Sequence, residues 1–110
     1  KLKFSKNVKT IDPLGYFDMM SLLSRSSGIL TDSGGVQKEA FFVNKPCFVF
    51  RNETEWVELI NSQNNQLISG KEDFLKYYKK MDKIKNKQEI FGIGNASKKI
   101  IQIIGEFYDW

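Results

Sequence analysis

The chain has 110 residues, of which 41% are hydrophobic and 14% aromatic, enough to bury one modest core but not two. It contains no histidine and a single cysteine, so a soft-metal site would lack its usual ligands and an intrachain disulfide is impossible. No stretch approaches the roughly 18 consecutive apolar residues of a membrane span, and the first residues lack the apolar centre of a signal peptide. We therefore expect a cytoplasmic chain with no metal, no cofactor and no membrane partner.

The net charge of +4 raises the question of a nucleic-acid partner, because clustered basic residues neutralise phosphates. Much of the excess lies in residues 71–87, where lysines alternate with Asp73 and Asp82. The same segment places Phe74, Tyr77 and Met81 at helical spacing. This pattern favours a solvated helix face over a nucleic-acid surface, so no nucleic-acid partner is expected.

The first half of the chain alternates strand and helix signals. Residues 8–11 predict a short strand that ends at Asp12-Pro13. The following apolar residues recur at i, i+3, i+4 and i+7, the pattern of one buried helix face: Tyr16, Met19, Met20 and Leu23. Residues 28–31 predict a compact strand, and the next helix has one apolar face formed by Val36, Ala40 and Val43.

The second half continues the alternation. Asn44-Lys45-Pro46 ends the second helix, and residues 47–50 predict a strand that buries Cys47. A short helix is predicted after Asn52, which can cap it, and residues 65–69 fit another short strand before the lysine-rich helix. The last helix, residues 95–110, is capped by Asn95 and has a continuous apolar stripe: Ala96, Ile100, Ile103, Ile104 and Phe107.

This order predicts an α/β fold, a Rossmann-like parallel sheet with flanking helices. Three or four strands make only part of a doubly wound domain, and a sheet this narrow leaves an edge exposed. We therefore expect residues 1–110 to be a domain truncated at its start.

The segment from Thr31 to Glu39 carries the clearest site signal. A buried strand ends at Thr31, Gly34 and Gly35 allow a sharp turn, and a helix begins. That order points backbone N–H groups and the positive end of a helix dipole outward, where an anion fits, and Ser33 adds a hydroxyl donor. The run matches neither common phosphate-loop pattern, and Gly-Gly turns with a serine cap also occur without a ligand. Both interpretations stay open on chemistry alone.

Glu39 lies four residues after Gly35, so the two share a helix face about 6 Å apart along the axis. A nucleotide whose diphosphate caps the helix would have its ribose diol near this carboxylate. The alternative is a solvated helix glutamate that faces Lys38 or Lys45.

Two longer runs, TDSGGVQKEA at residues 31–40 and KPCFVFRNETEW at residues 45–56, closely resemble the bacterial non-hydrolysing UDP-N-acetylglucosamine 2-epimerases. The resemblance begins upstream at PLGY, residues 13–16, and extends to FGIGNAS, residues 91–97. It implies the second, nucleotide-binding domain of a GT-B-type two-domain enzyme, an isomerase used in making precursors of cell-surface polysaccharides.

The resemblance also implies roles for individual residues. Ser33, Gly34 and Gly35 would hold the diphosphate, Glu39 the ribose, and Arg51 and Glu55 would line the interdomain cleft, where they are the only catalytic candidates in this chain. The acid–base residues of the family come largely from the first domain. We therefore expect a missing N-terminal domain, a homodimer in the full-length protein, and no epimerisation by this chain alone.

Several positions depart from the family pattern. Lys38 replaces a common glutamate, which we interpret as a surface change, and Ile93 and Glu89-Ile90 replace an aspartate and an Asn-Pro pair. Met19 stands where an aromatic residue can stack on the uracil. The expected substrate is UDP-N-acetylglucosamine. The ETEW form also occurs among relatives that act on other UDP-N-acetylhexosamines, so one of these is the alternative substrate. A UDP-sugar glycosyltransferase, a stand-alone UDP-binding module and a nucleic-acid-binding domain are the alternative functions.

Overall fold

The computed structural model describes residues 3–62, 64–80 and 89–108. Its centre is a parallel sheet of three strands in the order β1-β2-β3. The strands are β1 (Ile29–Thr31), β2 (Cys47–Val49) and β3 (Asn65–Leu67). In the register of the sheet, Thr31 of β1 pairs with Val49 of β2, so these two strands end side by side.

Each parallel crossover contains a helix, as parallel connections usually do. Helix α2 (Gly34–Phe42) joins β1 to β2, and α3 (Val57–Asn61) joins β2 to β3. Helix α1 (Tyr16–Arg25) precedes the sheet, and α4 (Lys71–Tyr78) and α5 (Ala96–Phe107) follow it. The predicted α/β class with a parallel sheet and flanking helices is confirmed.

The core lies between the sheet and the first two helices. Leu23 of α1 and Ala40 of α2 form a buried cluster with Ile29, Cys47 and Val49 of the strands. Partly buried side chains of the predicted helix faces pack against this cluster: Met19, Met20, Val36 and Val43. All of β2 is buried because it is the central strand. The periodic apolar residues therefore identified the core-facing sides of α1 and α2, except that Tyr16, predicted on the buried face of α1, is 62% exposed and lies outside the cluster.

Two details of the sequence-based assignment are wrong. Residues 8–11 form no strand within the described part of the chain, and Val8 and Ile11 are exposed. A strand needs a neighbour to accept and donate its backbone hydrogen bonds, and β1, β2 and β3 pair only with each other. Asn52 does not cap α3, which has Trp56 at its N-cap and begins at Val57.

The later helices agree with prediction where they are described. The lysines of α4 are exposed, as expected for a solvated face; Met81 and Asp82 lie outside the described residues. Asn95 occupies the N-cap of α5, although its side chain makes no capping hydrogen bond to the described helix turn. The apolar stripe of α5 is exposed: none of the helix residues is buried, and Phe107 is 81% exposed.

Candidate functional site

The first turn of α2 follows directly from the carboxyl end of β1. Ser33 is the N-cap residue in an extended conformation, and its backbone N–H donates to Thr31 Oγ1 at 3.0 Å. The hydrogen bond from Gln37 N–H to the Ser33 carbonyl, 3.4 Å, begins the helix. The N–H groups of Gly34, Gly35 and Val36 precede that bond, so they have no acceptor inside the helix. We call this turn, residues 33–36, the helix mouth.

The loop after β2, residues 50–56, lies beside the helix mouth because β1 and β2 end together. Two hydrogen bonds attach it to α2. Thr54 Oγ1 donates to Gln37 Oε1 at 2.7 Å, and the indole N–H of Trp56 donates to the Gly34 carbonyl at 3.0 Å. Gln37 is fully buried, and its Nε2 has no hydrogen-bond partner among the described residues. The loop is thus held by contacts to the first and second turns of the helix.

This loop carries Arg51 and Glu55 to the helix mouth. Arg51 Nη1 and Glu55 Oε2 form an ion pair at 2.9 Å. The Glu55 carboxylate lies so close to Gly34 that a Cβ added there would collide with Oε1 and approach Cδ to 3.2 Å. The pKa of Glu55 is lowered by a hydrogen bond from its own backbone N–H and then by the Arg51 guanidinium. An ionised carboxylate therefore lies against the positive end of α2.

Glu39 lies one turn further along α2 and is half-buried. No ion pair joins it to Lys38 or Lys45, although all three residues belong to the described part of the chain. The specific partners that the solvated-glutamate alternative assigned to Glu39 are therefore not observed. The structure leaves its proposed ribose role a prediction.

Lys38 is half-buried and does not extend into solvent as a simple surface residue would. Its Nζ lies 4.2 Å from the ring centroid of Trp56 and 4.6 Å from that of Phe91. The interpretation of Lys38 as a surface change is therefore wrong. The charge is held over two aromatic faces because a cation is attracted to the negative face of a ring.

Sequence reasoning missed the contacts that hold this site together. The roles of Gln37, Thr54 and Trp56 depend on contacts between residues 17 and 22 positions apart. No spacing rule predicts such pairs, although the parallel order of the strands predicts that the two loops meet. Met19, at the position where the resemblance places an aromatic residue against the uracil, packs partly buried against the core cluster.

The described residues contain no cluster of three or more His, Cys, Asp or Glu side chains that could hold a metal ion. Among the same residues, no helix combines the length and apolarity needed to cross a membrane.

The sequence profile of the UDP-N-acetylglucosamine 2-epimerase family matches residues 1–105. The UDP-2,3-diacetamido-2,3-dideoxy-D-glucuronate 2-epimerase of Pseudomonas aeruginosa is 40% identical over 96% of this chain. A UDP-N-acetylglucosamine 2-epimerase homologue of Methanococcus maripaludis is 43% identical over 94% of it. The chain spans only 31% and 30% of these two relatives.

A solved structure has the same fold over most of this chain. The UDP-GlcNAc 2-epimerase of Methanocaldococcus jannaschii, in complex with UDP-GlcNAc and UDP, superposes with a TM-score of 0.81 at 36% identity. The superposition covers 92% of this chain and 28% of that one. With a family profile that matches nearly its whole length and a fold that agrees, this chain belongs to the UDP-N-acetylglucosamine 2-epimerase family.

Proposed function

We propose that this chain is the UDP-binding part of a non-hydrolysing UDP-N-acetylglucosamine 2-epimerase. The observation that carries the proposal is the helix mouth, where three backbone N–H groups of α2 have no acceptor inside the helix and the Glu55 carboxylate against Gly34 forms an ion pair with Arg51. A diphosphate placed there would receive hydrogen bonds from Gly34, Gly35 and the Ser33 hydroxyl. Glu39, on the same helix, would accept hydrogen bonds from the ribose hydroxyls.

The proposed reaction explains why this chain holds the diphosphate. The proton on the carbon that bears the acetamido group is not acidic, so direct inversion there is difficult. Elimination breaks the bond from the anomeric carbon to UDP, removes that proton and leaves a 2-acetamidoglucal. Re-addition of UDP with a proton on the opposite face completes the inversion. Preorganised donors at the helix mouth, together with Arg51, would stabilise the charge on the departing diphosphate.

The acid–base groups of this reaction are proposed to lie elsewhere in the full protein. Arg51 and Glu55 are candidates for contacts at the cleft, but the sequence contains no histidine that could serve as an acid or base. Residues 1–110 are therefore proposed to form a C-terminal domain, with residues 95–110 as its last helix, that closes against an N-terminal domain. The exposed apolar stripe of α5 supports such a partner, since apolar surface of this kind is normally covered.

Two sugars are candidates for the substrate. UDP-N-acetylglucosamine is favoured by the family profile, whereas the Pseudomonas aeruginosa relative is named for a diacetamido glucuronate. None of the relatives described above is a glycosyltransferase. The proposal includes a homodimeric full-length enzyme that acts in the cytoplasm on precursors of cell-surface polysaccharides.

A titration of the isotope-labelled chain with UDP tests the binding site. The amide signals of residues 33–36 should move, and UMP, which lacks the second phosphate, should move them less. Without closure against a second domain, we expect a dissociation constant in the high micromolar to millimolar range, about 4–6 kcal/mol of binding free energy. Shifts centred on residues 76–87 instead would refute this placement.

A second experiment tests the division of labour. The chain is incubated with UDP-N-acetylglucosamine in deuterated water, and deuterium at the acetamido-bearing carbon is measured. No exchange above the buffer blank is expected. Exchange that survives repurification and is abolished by Arg51→Ala or Glu55→Ala would show that the acid–base groups lie in this chain.

A further inference from the structure

The ammonium group of Lys38 lies between two aromatic side chains from separate segments of the chain. One is Trp56, in the loop after β2, and the other is Phe91, which precedes α5. The two rings also contact each other edge to face, with centroids 6.4 Å apart and an interplanar angle of 89°. Both cation-to-centroid distances are inside the range of about 6 Å over which a ring attracts a cation. Lys38 thus joins α2 to two other segments.

Trp56 is one of two residues whose side chains attach the loop to α2, and it is the one bonded at the helix mouth itself. Its indole N–H is bonded to the Gly34 carbonyl, and its neighbour Glu55 lies against the Gly34 backbone. Glu55 in turn forms the ion pair with Arg51. A change in the position of the indole would therefore move the Glu55 carboxylate and the Arg51 guanidinium relative to the turn.

We propose that Lys38 is a positioning residue: it holds Trp56 against α2 so that Arg51 and Glu55 face the helix mouth. The inference rests on the proposed function, since the helix mouth is taken as the diphosphate site. Arginine keeps the positive charge and is also attracted to aromatic faces, so it should retain the contact with Trp56. Methionine keeps a similar apolar stem but lacks the charge.

The test compares Lys38→Met with Lys38→Arg in the intact protein. Trp56 is followed by 19F NMR after labelling with 5-fluorotryptophan, and its signal is identified by its loss in Trp56→Phe. Binding of UDP is measured by calorimetry. Lys38→Met should shift or broaden the Trp56 signal and weaken UDP binding about five-fold, the change that corresponds to a cation–π contact of ~1 kcal/mol. Lys38→Arg should keep both properties within about two-fold of the parent protein.

Lys76→Met is the matched control. The Nζ of Lys76 lies 5.3 Å from the Tyr77 ring centroid, on the exposed face of α4. The substitution removes the same charge from the protein but leaves the helix mouth intact. It should change neither the Trp56 signal nor the affinity for UDP, which separates local positioning from long-range attraction of the anionic ligand.

The outcomes distinguish this inference from the proposed function. If Lys38→Met leaves the Trp56 signal or the UDP affinity unchanged, or if Lys38→Arg changes both as much as Lys38→Met does, the positioning role is refuted. If the unsubstituted protein binds no UDP, the proposed function fails, and the positioning of Trp56 is then judged by the 19F signal alone.

Discussion

Gly35→Ala separates a glycine that the fold requires from one that a ligand requires. A Cβ at Gly35 would meet only Ser33 Oγ at 3.9 Å, an ordinary van der Waals contact. Because alanine favours a helix over glycine by about 0.5–1 kcal/mol, the substitution should leave the free energy of unfolding unchanged or raise it. Alanine keeps the backbone N–H, but a diphosphate over this turn must approach the backbone closely, and the new methyl group would hold the phosphate oxygen beyond the distance of about 3 Å at which it accepts from that N–H. Loss of one charge-assisted hydrogen bond, about 1.5–3 kcal/mol, corresponds to roughly 10- to 100-fold weaker UDP binding.

The assay pairs calorimetric titration with UDP and thermal unfolding followed by circular dichroism. Gly70→Ala is the control, because a Cβ at Gly70 meets nothing within 4 Å and the residue precedes α4. It should leave UDP affinity unchanged. Gly34→Ala is a poorer test, since its Cβ would displace the Glu55 carboxylate and alter the loop directly. If Gly35→Ala folds normally and binds UDP as tightly as the parent protein, the diphosphate does not lie at the helix mouth.

Three further outcomes are expected. Glu39→Ala in the intact protein should weaken UDP binding by about 10- to 100-fold. The loss should nearly vanish with a nucleotide whose ribose lacks both hydroxyls. If the substituted and parent proteins bind UDP with equal affinity in a titration, the ribose role is excluded. Burial raises the pKa of the Cys47 thiol from 9.0 to about 12. The unfolded chain therefore loses this proton first, and the free energy of unfolding should fall as the pH rises above 9.0. At pH 8 a thiol reagent should modify Cys47 only as fast as the chain unfolds. The Ser69 hydroxyl and backbone N–H lower the pKa of Asp73 from 3.8. The ionised carboxylate therefore stabilises the folded chain above pH 3.8, and this stabilisation is lost as the pH falls through the pKa of Asp73 in the folded chain. Denaturation of Asp73→Asn should therefore show less loss of stability in acid, and an unchanged acid profile would count against that contribution.

The elements that bury one periodic face were predictable from the sequence. Apolar residues recur every three or four positions along α1. They recur in the same way along the face of α2 that contains Ala40. The central strand β2 is a continuous apolar run that includes Cys47, as expected for a strand covered on both sides. In each case the structure is selected by burial of apolar area, and the apolar residues that are buried lie close together in the sequence.

The two errors in the assignment of strands and helix caps occur where structure depends on distant partners. Residues 8–11 have the composition of a strand, but no strand partner lies among the described residues. Asn52 can cap a helix, yet Thr54 and Trp56 use their side chains to bind α2 and keep residues 50–56 a loop. Local propensity was outweighed in both places by the presence or absence of a tertiary contact.

The candidate site also combines a local feature with contacts between distant residues. The strand, turn and helix order predicts the helix mouth, because it is a local feature; the position of the Glu55 carboxylate against Gly34 is set by the loop contacts and was not predictable. That carboxylate is ionised, and a diphosphate bound at the same turn would be repelled by it. Arg51 can pair with either anion, so the binding of UDP would favour a structure in which the guanidinium turns from Glu55 to the phosphate. The Arg51 guanidinium thereby offsets the repulsion between the diphosphate and the Glu55 carboxylate at the positive end of α2.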